Sequence, residues 1–156
     1  MKEKFVSAYM DVAERFAKLS SARRLHVGAI VVKDDRIISI GYNGMPAGWD
    51  NNCEEAVDVD PSDPRYNHSH FTKELKTKPE VLHAETNAIA KLAKSNESGM
   101  GATMFITHAP CLDCAKLIYQ SGIKSVFYRE AYRDDAGSQF LKKSGIEITQ
   151  VNNTDV

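Results

Sequence analysis

The chain is 156 residues long, carries 20 Lys and Arg against 21 Asp and Glu for a formal net charge of −1, and is 42% apolar. That length suits one domain, spanning 1–156, with a sizeable core. The even charge balance, with Arg23-Arg24 and Lys142-Lys143 only pairs, lacks the basic footprint of a duplex or long-RNA binder; a small substrate and no nucleic-acid partner are expected.

Phe5, Tyr9, Val12, Phe16 and Leu19 recur at helical steps between charges, which predicts an amphipathic helix over 1–18. That stretch is charged throughout, so it neither spans a membrane nor directs export. Ser20-Ser21 breaks the period. His26 to Val32 is a β-branched run that reads as a strand, Lys33 to Arg36 as a polar turn, and Ile37 to Gly41 as the second strand of a hairpin. Tyr42 to Gly48 then holds two Gly and a Pro, a tight irregular backbone. Read alone it is a strand-ending turn, but loops leaving strands present polar groups to ligands, and Asn43 offers both donor and acceptor.

From 50 to 78 the text is polar and without period, a long insertion loop in which Phe71 to Leu75 could form a turn or two of helix. Cys53 with His68 and His70 suggests a second zinc site; the spacing fits no compact zinc knuckle, so a buried free thiol and two solvent-facing histidines are preferred. His83 to Lys94 is a second helix with His83 in its first turn, where the helix dipole keeps the imidazole neutral. A strand over 102–107 leads through His108-Ala109-Pro110 into a third helix carrying Cys111 and Cys114, both sulfurs on one face at its start. A strand over 124–128, a charged loop over 129–135, a helix over 136–143 and a strand over 146–151 complete an α/β sandwich around five strands, the later ones parallel.

Three Cys, two of them a Cys-x-x-Cys pair, without a secretory signal or long apolar run, point to metal or redox chemistry in a reducing compartment. A soluble, cytoplasmic protein with no membrane partner is expected. One imidazole (His83) and two thiols (Cys111, Cys114) suit a zinc ion and leave its fourth position open, with Glu85 a carboxylate near the metal that need not ligate it. Open zinc beside a free carboxylate activates water. The alternatives are a zinc deaminase acting on another nucleotide or on RNA or tRNA adenosine, which would need a basic groove, and a non-catalytic zinc module in which Glu85 is merely a helix-start acid.

His83-Ala84-Glu85 followed by Pro110-Cys111-Leu112-Asp113-Cys114 resembles the His-x-Glu, Pro-Cys-x-x-Cys signature of zinc nucleobase deaminases. With Gly-Tyr-Asn-Gly-Met-Pro at 41–46, His-Ala-Glu-Thr-Asn-Ala-Ile at 83–89, the segment 115–124 and Tyr132-Arg133-Asp134, the chain looks like a deoxycytidylate (dCMP) deaminase from its first strand to its last. The resemblance implies a three-layer α/β/α, cytidine-deaminase-like fold, one catalytic Zn2+, and hydrolysis of dCMP to dUMP and ammonia that supplies thymidylate synthesis. It assigns His83, Cys111 and Cys114 to the metal and Glu85 to proton transfer. The Ala84 amide would contact the base, Asn43 the sugar and base edge, and Tyr132 would stack near the ring. Ser21, Arg23, Arg24 and Arg133 are the candidates for the 5′-phosphate. The family resemblance also implies a hexamer activated by dCTP and inhibited by dTTP, with Mg2+ accompanying the triphosphate. That effector would lie by the backbone of Gly41, Tyr42, Asn43 and Gly44. Relatives with a second zinc carry a Cys near the end of the first helix; here Leu19-Ser20-Ser21 holds no thiol.

Overall fold

The computed structural model describes residues 1–66 and 73–152. Helix α1 (Glu3–Ala17) buries Val6, Met10, Ala13 and Ala17, one stripe at helical spacing. Strands β1 (Gly28–Lys33) and β2 (Arg36–Tyr42) form the expected hairpin, with Asp34 and Asp35 both at positive φ in its tight turn. After β3 (Glu54–Asp58) and β4 (Lys73–Thr77) come α2 (Ala84–Ala93), β5 (Thr103–His108), α3 (Leu112–Gln120), β6 (Ser125–Glu130), α4 (Ala136–Lys143) and β7 (Glu147–Gln150).

The main sheet has five strands in the order β2-β1-β5-β6-β7. Strand β1 is antiparallel to β2 and β5, whereas β5, β6 and β7 run parallel through their helical connections. Alternation along β1 and β5 divides two cores. Ala29, Val31, Met104 and Ile106 face Ala88, Leu92, Ile118 and Leu141 of the three later helices. Ile30, Val32 and Phe105 face Val6, Met10 and Ala13 of α1. Helices on both faces make the three-layer α/β/α sandwich expected from the cytidine-deaminase resemblance. Phe105 stacks on Phe127 at 5.1 Å, and burying such a ring contributes about 2–3 kcal/mol.

Three features depart from the sequence reading. Strand β6 continues to Glu130 where a loop was expected from 129, and the half-buried Arg129 pairs with Glu14 at 2.9 Å and Asp11 at 3.7 Å on α1. His83 precedes the first turn of α2 as its N-cap. The largest departure is in the insertion, where a second, two-stranded sheet forms: β3 and β4 pair antiparallel from Glu54↔Thr77 to Asp58↔Lys73. Leu75, expected in a helical turn, lies opposite Ala56 in that ladder. Its base is tied down by Cys53, fully buried beneath Ala22 and Val81, whose carbonyl accepts the Lys78 N–H. His68, His70 and Phe71 lie outside the described residues.

Candidate active site

Both ligand stretches end up as N-caps. His83 precedes α2 and Cys111 precedes α3, each in extended conformation, and the two helix starts meet at the same end of the sheet. Two glycines permit this. A Cβ on Gly41 would collide with the Ala84 carbonyl, so only glycine lets β2 lie against the start of α2; a Cβ on Gly137 would strike the Pro110 and Cys111 carbonyls, where α4 begins.

His83 Nδ1 lies 3.4 Å from Cys114 Sγ and 3.7 Å from Cys111 Sγ, and the three donor atoms all fall within 4.8 Å of one another. Nitrogen and sulfur ligands on one tetrahedral zinc are separated by about 3.6 Å, so this donor set fits that ion in chemistry and spacing. No other His, Cys, Asp or Glu group among the described residues gathers this way. The Cys111 thiol is held well below the usual range, first by its hydrogen bond with Cys114 and then by His83, against the opposing effect of burial. Cys114 is pushed up by that same bond, by burial and by Glu85. The bond to Cys111 raises His83 despite burial.

Glu85 is buried in the first turn of α2, and desolvation lifts its carboxyl to about 7, with its own amide and His83 pulling the other way. A carboxyl balanced near neutrality can both take and give a proton. The Ala84 amide beside it is a first-turn donor without an intrahelical acceptor.

His83, Ala84, Glu85 and Cys111 floor a cleft of about 690 Å³ whose walls include Asn43, Arg24, Tyr132 and Arg133, while Cys114 is buried behind Cys111. Asn43 Oδ1 accepts the Val27 N–H at 2.9 Å and its Nδ2 donates to the Leu25 carbonyl at 2.8 Å, which leaves one N–H and one lone pair free to face a ligand. Ser21 and Arg23 do not line the cleft. Ser21 Oγ donates to the Asn51 carbonyl at 3.0 Å and lies 3.6 Å from Cys53 Sγ, while the Arg23 guanidinium bonds Asn52 at 2.9 Å. Gly41, Tyr42 and Gly44 also lie outside it. The Asn43 and Gly44 amides already donate to the Val27 and Leu82 carbonyls, so two of the four suggested for a triphosphate are engaged.

Sequence reasoning missed Glu54, Lys76, Thr77, His108 and Glu130, all of which line the cleft. Burial holds His108 below the usual imidazole range although Glu130 opposes the shift; its Nδ1 lies 2.9 Å from Thr107 Oγ1, which accepts the Gly28 N–H. Position in the motif could have flagged His108, three residues before Cys111. Nothing local marks Glu54.

Comparison with known proteins agrees with this geometry. Residues 3–130 match the family model of the cytidine and deoxycytidylate deaminase zinc-binding region. The deoxycytidylate deaminase of Enterobacteria phage T4 is 36% identical over 93% of this chain and 89% of its own length. The human deoxycytidylate deaminase is 39% identical over 81% of this chain and 65% of its own. The crystal structure of the cyanophage S-TIM5 dCMP deaminase, in complex with dCMP and dUMP, superposes with a TM-score of 0.82 at 41% identity, covering 97% of this chain and 99% of that one. The chain belongs to the zinc-dependent cytidine and deoxycytidylate deaminase family.

Proposed function

We propose that this chain hydrolyses dCMP to dUMP and ammonia. The observation that carries the reading is the His83-Cys111-Cys114 donor set beside a buried Glu85 carboxyl, with His83, Glu85 and Cys111 lining one cleft. Similarity to deoxycytidylate deaminases along nearly the whole chain supplies the substrate. His83, Cys111 and Cys114 would hold the zinc, which when bound acts as a Lewis acid that lowers the pKa of water to about 7.

In this reading Glu85 accepts the proton of the water that adds to cytosine C4 and passes it to N3. It then takes the remaining proton from the new C4 hydroxyl and delivers it to the amino group as the C4–N4 bond breaks and the C4 carbonyl forms, so that water and cytosine leave as ammonia and uracil. The Ala84 amide donates to the base, Asn43 holds the sugar and base edge, and Tyr132 covers the ring. Arg24 and Arg133 stand at the cleft wall as phosphate donors. Ser21 and Arg23, turned away, would act only through the turn they belong to. Water exclusion by the walls strengthens each of these contacts.

The finer reading keeps the chain as one domain over 1–156 with the hairpin as its insertion, in a cytoplasmic homohexamer that supplies dUMP for thymidylate. It is activated by dCTP and inhibited by dTTP, with Mg2+ on the triphosphate. Because the Asn43 and Gly44 amides are engaged and Gly41 is paired with Ala29 in the β1–β2 ladder, the effector would be held at this segment by Tyr42 and the side chains around it. A sigmoidal dCMP curve made hyperbolic by dCTP supports this regulation, and rates indifferent to both nucleotides remove it. The catalytic reading is tested with zinc-loaded protein: loss of cytosine absorbance with stoichiometric ammonia and dUMP is expected. Deamination of adenosine in RNA, with none of dCMP, overturns it.

A further inference from the structure

The β3–β4 hairpin forms one wall of the cleft, and a buried carboxylate fastens that wall to the turn after α1. The Glu54 side chain is 1% exposed. Its Oε1 accepts the backbone N–H groups of Arg23 at 2.8 Å and Arg24 at 3.1 Å, and its Oε2 lies 3.4 Å from Arg23 Nε. Burial pushes this carboxyl up, but the Arg24 and Arg23 amides and the Arg23 side chain together hold it below its ordinary range. It is therefore an ionised acceptor aimed at one short turn. Thr77, directly opposite Glu54 in the ladder, shares its face of the hairpin, and Thr77 Oγ1 accepts from Arg24 Nη1 at 3.1 Å.

Arg24 is thus held at both ends, its main chain by Glu54 and its guanidinium by Thr77, and all three residues line the cleft. The neighbouring Arg23 spends its guanidinium on Glu54 and Asn52 instead. Arg24 makes no ion pair with any described residue. A guanidinium fixed in a cleft wall, with donors to spare and no carboxylate, suits an anionic oxygen cluster on the ligand. The plainer account is that Arg24 only latches the hairpin, in which case Glu54 serves folding and nothing else.

We propose that Glu54 and Thr77 are positioning residues that aim Arg24 at the 5′-phosphate of the substrate, so that the hairpin sets the preference for a nucleoside monophosphate over the free nucleoside. The inference rests on the reading of dCMP as substrate. It is tested by kcat/KM for dCMP and for deoxycytidine, measured side by side on the zinc-loaded full chain. In Arg24→Ala and Glu54→Ala the dCMP-to-deoxycytidine ratio falls about tenfold or more, the loss of one charge-assisted contact, chiefly through KM for dCMP. In Glu54→Ala and Thr77→Val deoxycytidine turnover stays within about twofold, since that ligand has no phosphate to lose. Glu54→Gln, which keeps an acceptor oxygen for both amides, retains most of the ratio. Thr77→Val lowers it by roughly threefold.

A ratio unchanged in Glu54→Ala and Thr77→Val, or both substrates falling in step, overturns the inference and leaves a folding role. If Glu54→Ala does not fold, Thr77→Val decides the matter by the same ratio. A wild-type protein inactive on dCMP overturns the substrate reading and this inference with it. A wild-type preference for dCMP that survives these substitutions overturns the inference alone.

Discussion

The zinc-site end of the main sheet and the β3–β4 hairpin meet in one cleft, yet they are built in different ways. The first is assembled from two helix starts on a sheet whose inner residues are almost wholly buried, and its groups come as two compact motifs, His83 with Glu85 and Cys111 with Cys114, each set at the start of one helix. The second has exposed faces and is held at its base by Cys53, Glu54 and Thr77, whose partners lie some thirty to fifty residues upstream. The difference separates two tasks: reaction chemistry demands donors fixed to tenths of an ångström and comes from the rigid layer, while ligand choice can be entrusted to an appended wall.

Variants of the rigid layer should therefore harm every substrate alike. The largest effect is expected for Glu85→Gln, which keeps the shape but cannot exchange protons: turnover of dCMP and deoxycytidine falls together by roughly 10²–10⁴-fold. Metal analysis should still find one zinc per chain. Selective loss on one substrate would break the division drawn here. Cys114→Ser should instead lose the metal, since a hydroxyl is a poor substitute for thiolate, and added zinc should not restore full occupancy. Next comes Gly41→Ala, where the new methyl meets the Ala84 carbonyl. Denaturant unfolding should show a loss of about 1–3 kcal/mol, and wild-type stability would argue against that tight approach.

The smallest effect concerns Glu54 and pH. Its carboxyl lies below the ordinary 4.5 when folded. The ionised form therefore stabilises the fold fully above that ordinary value, and the contribution disappears as pH falls through the folded-state one. The melting-temperature gap between wild type and Glu54→Gln should be constant from pH 8 to 6 and close on acidification toward pH 3. A gap that widens on acidification would mean that Glu54 is not held as an ion.

The same division governs what could be read from the residues alone. His83 with Glu85 and Cys111 with Cys114 announce themselves because each pair is a compact motif of uncommon chemistry. The sheet was legible because β1, β2 and β5 are rich in β-branched residues and a polar turn joins the first two. Glu54 was hidden because an acid among acids looks solvated, and only the fold brings the Arg23 and Arg24 amides over it. The hairpin was hidden because Glu-Glu-Ala-Val-Asp and Lys-Glu-Leu-Lys-Thr show no alternation of apolar residues; their pairing is dictated by a buried base, not by a buried face. Ser21 and Arg23 were named for phosphate because composition counts donors, whereas the structure shows which are already committed.

The central claim is that one cleft joins a deaminating centre to a wall that selects a monophosphate. It is tested most directly by the wild-type, zinc-loaded chain offered dCMP and deoxycytidine under identical conditions. The account predicts conversion of both to uracil products, with kcat/KM for dCMP higher by about two orders of magnitude, as several charge-assisted phosphate contacts would give. Equal values for the two, or no uracil product from either, would contradict it.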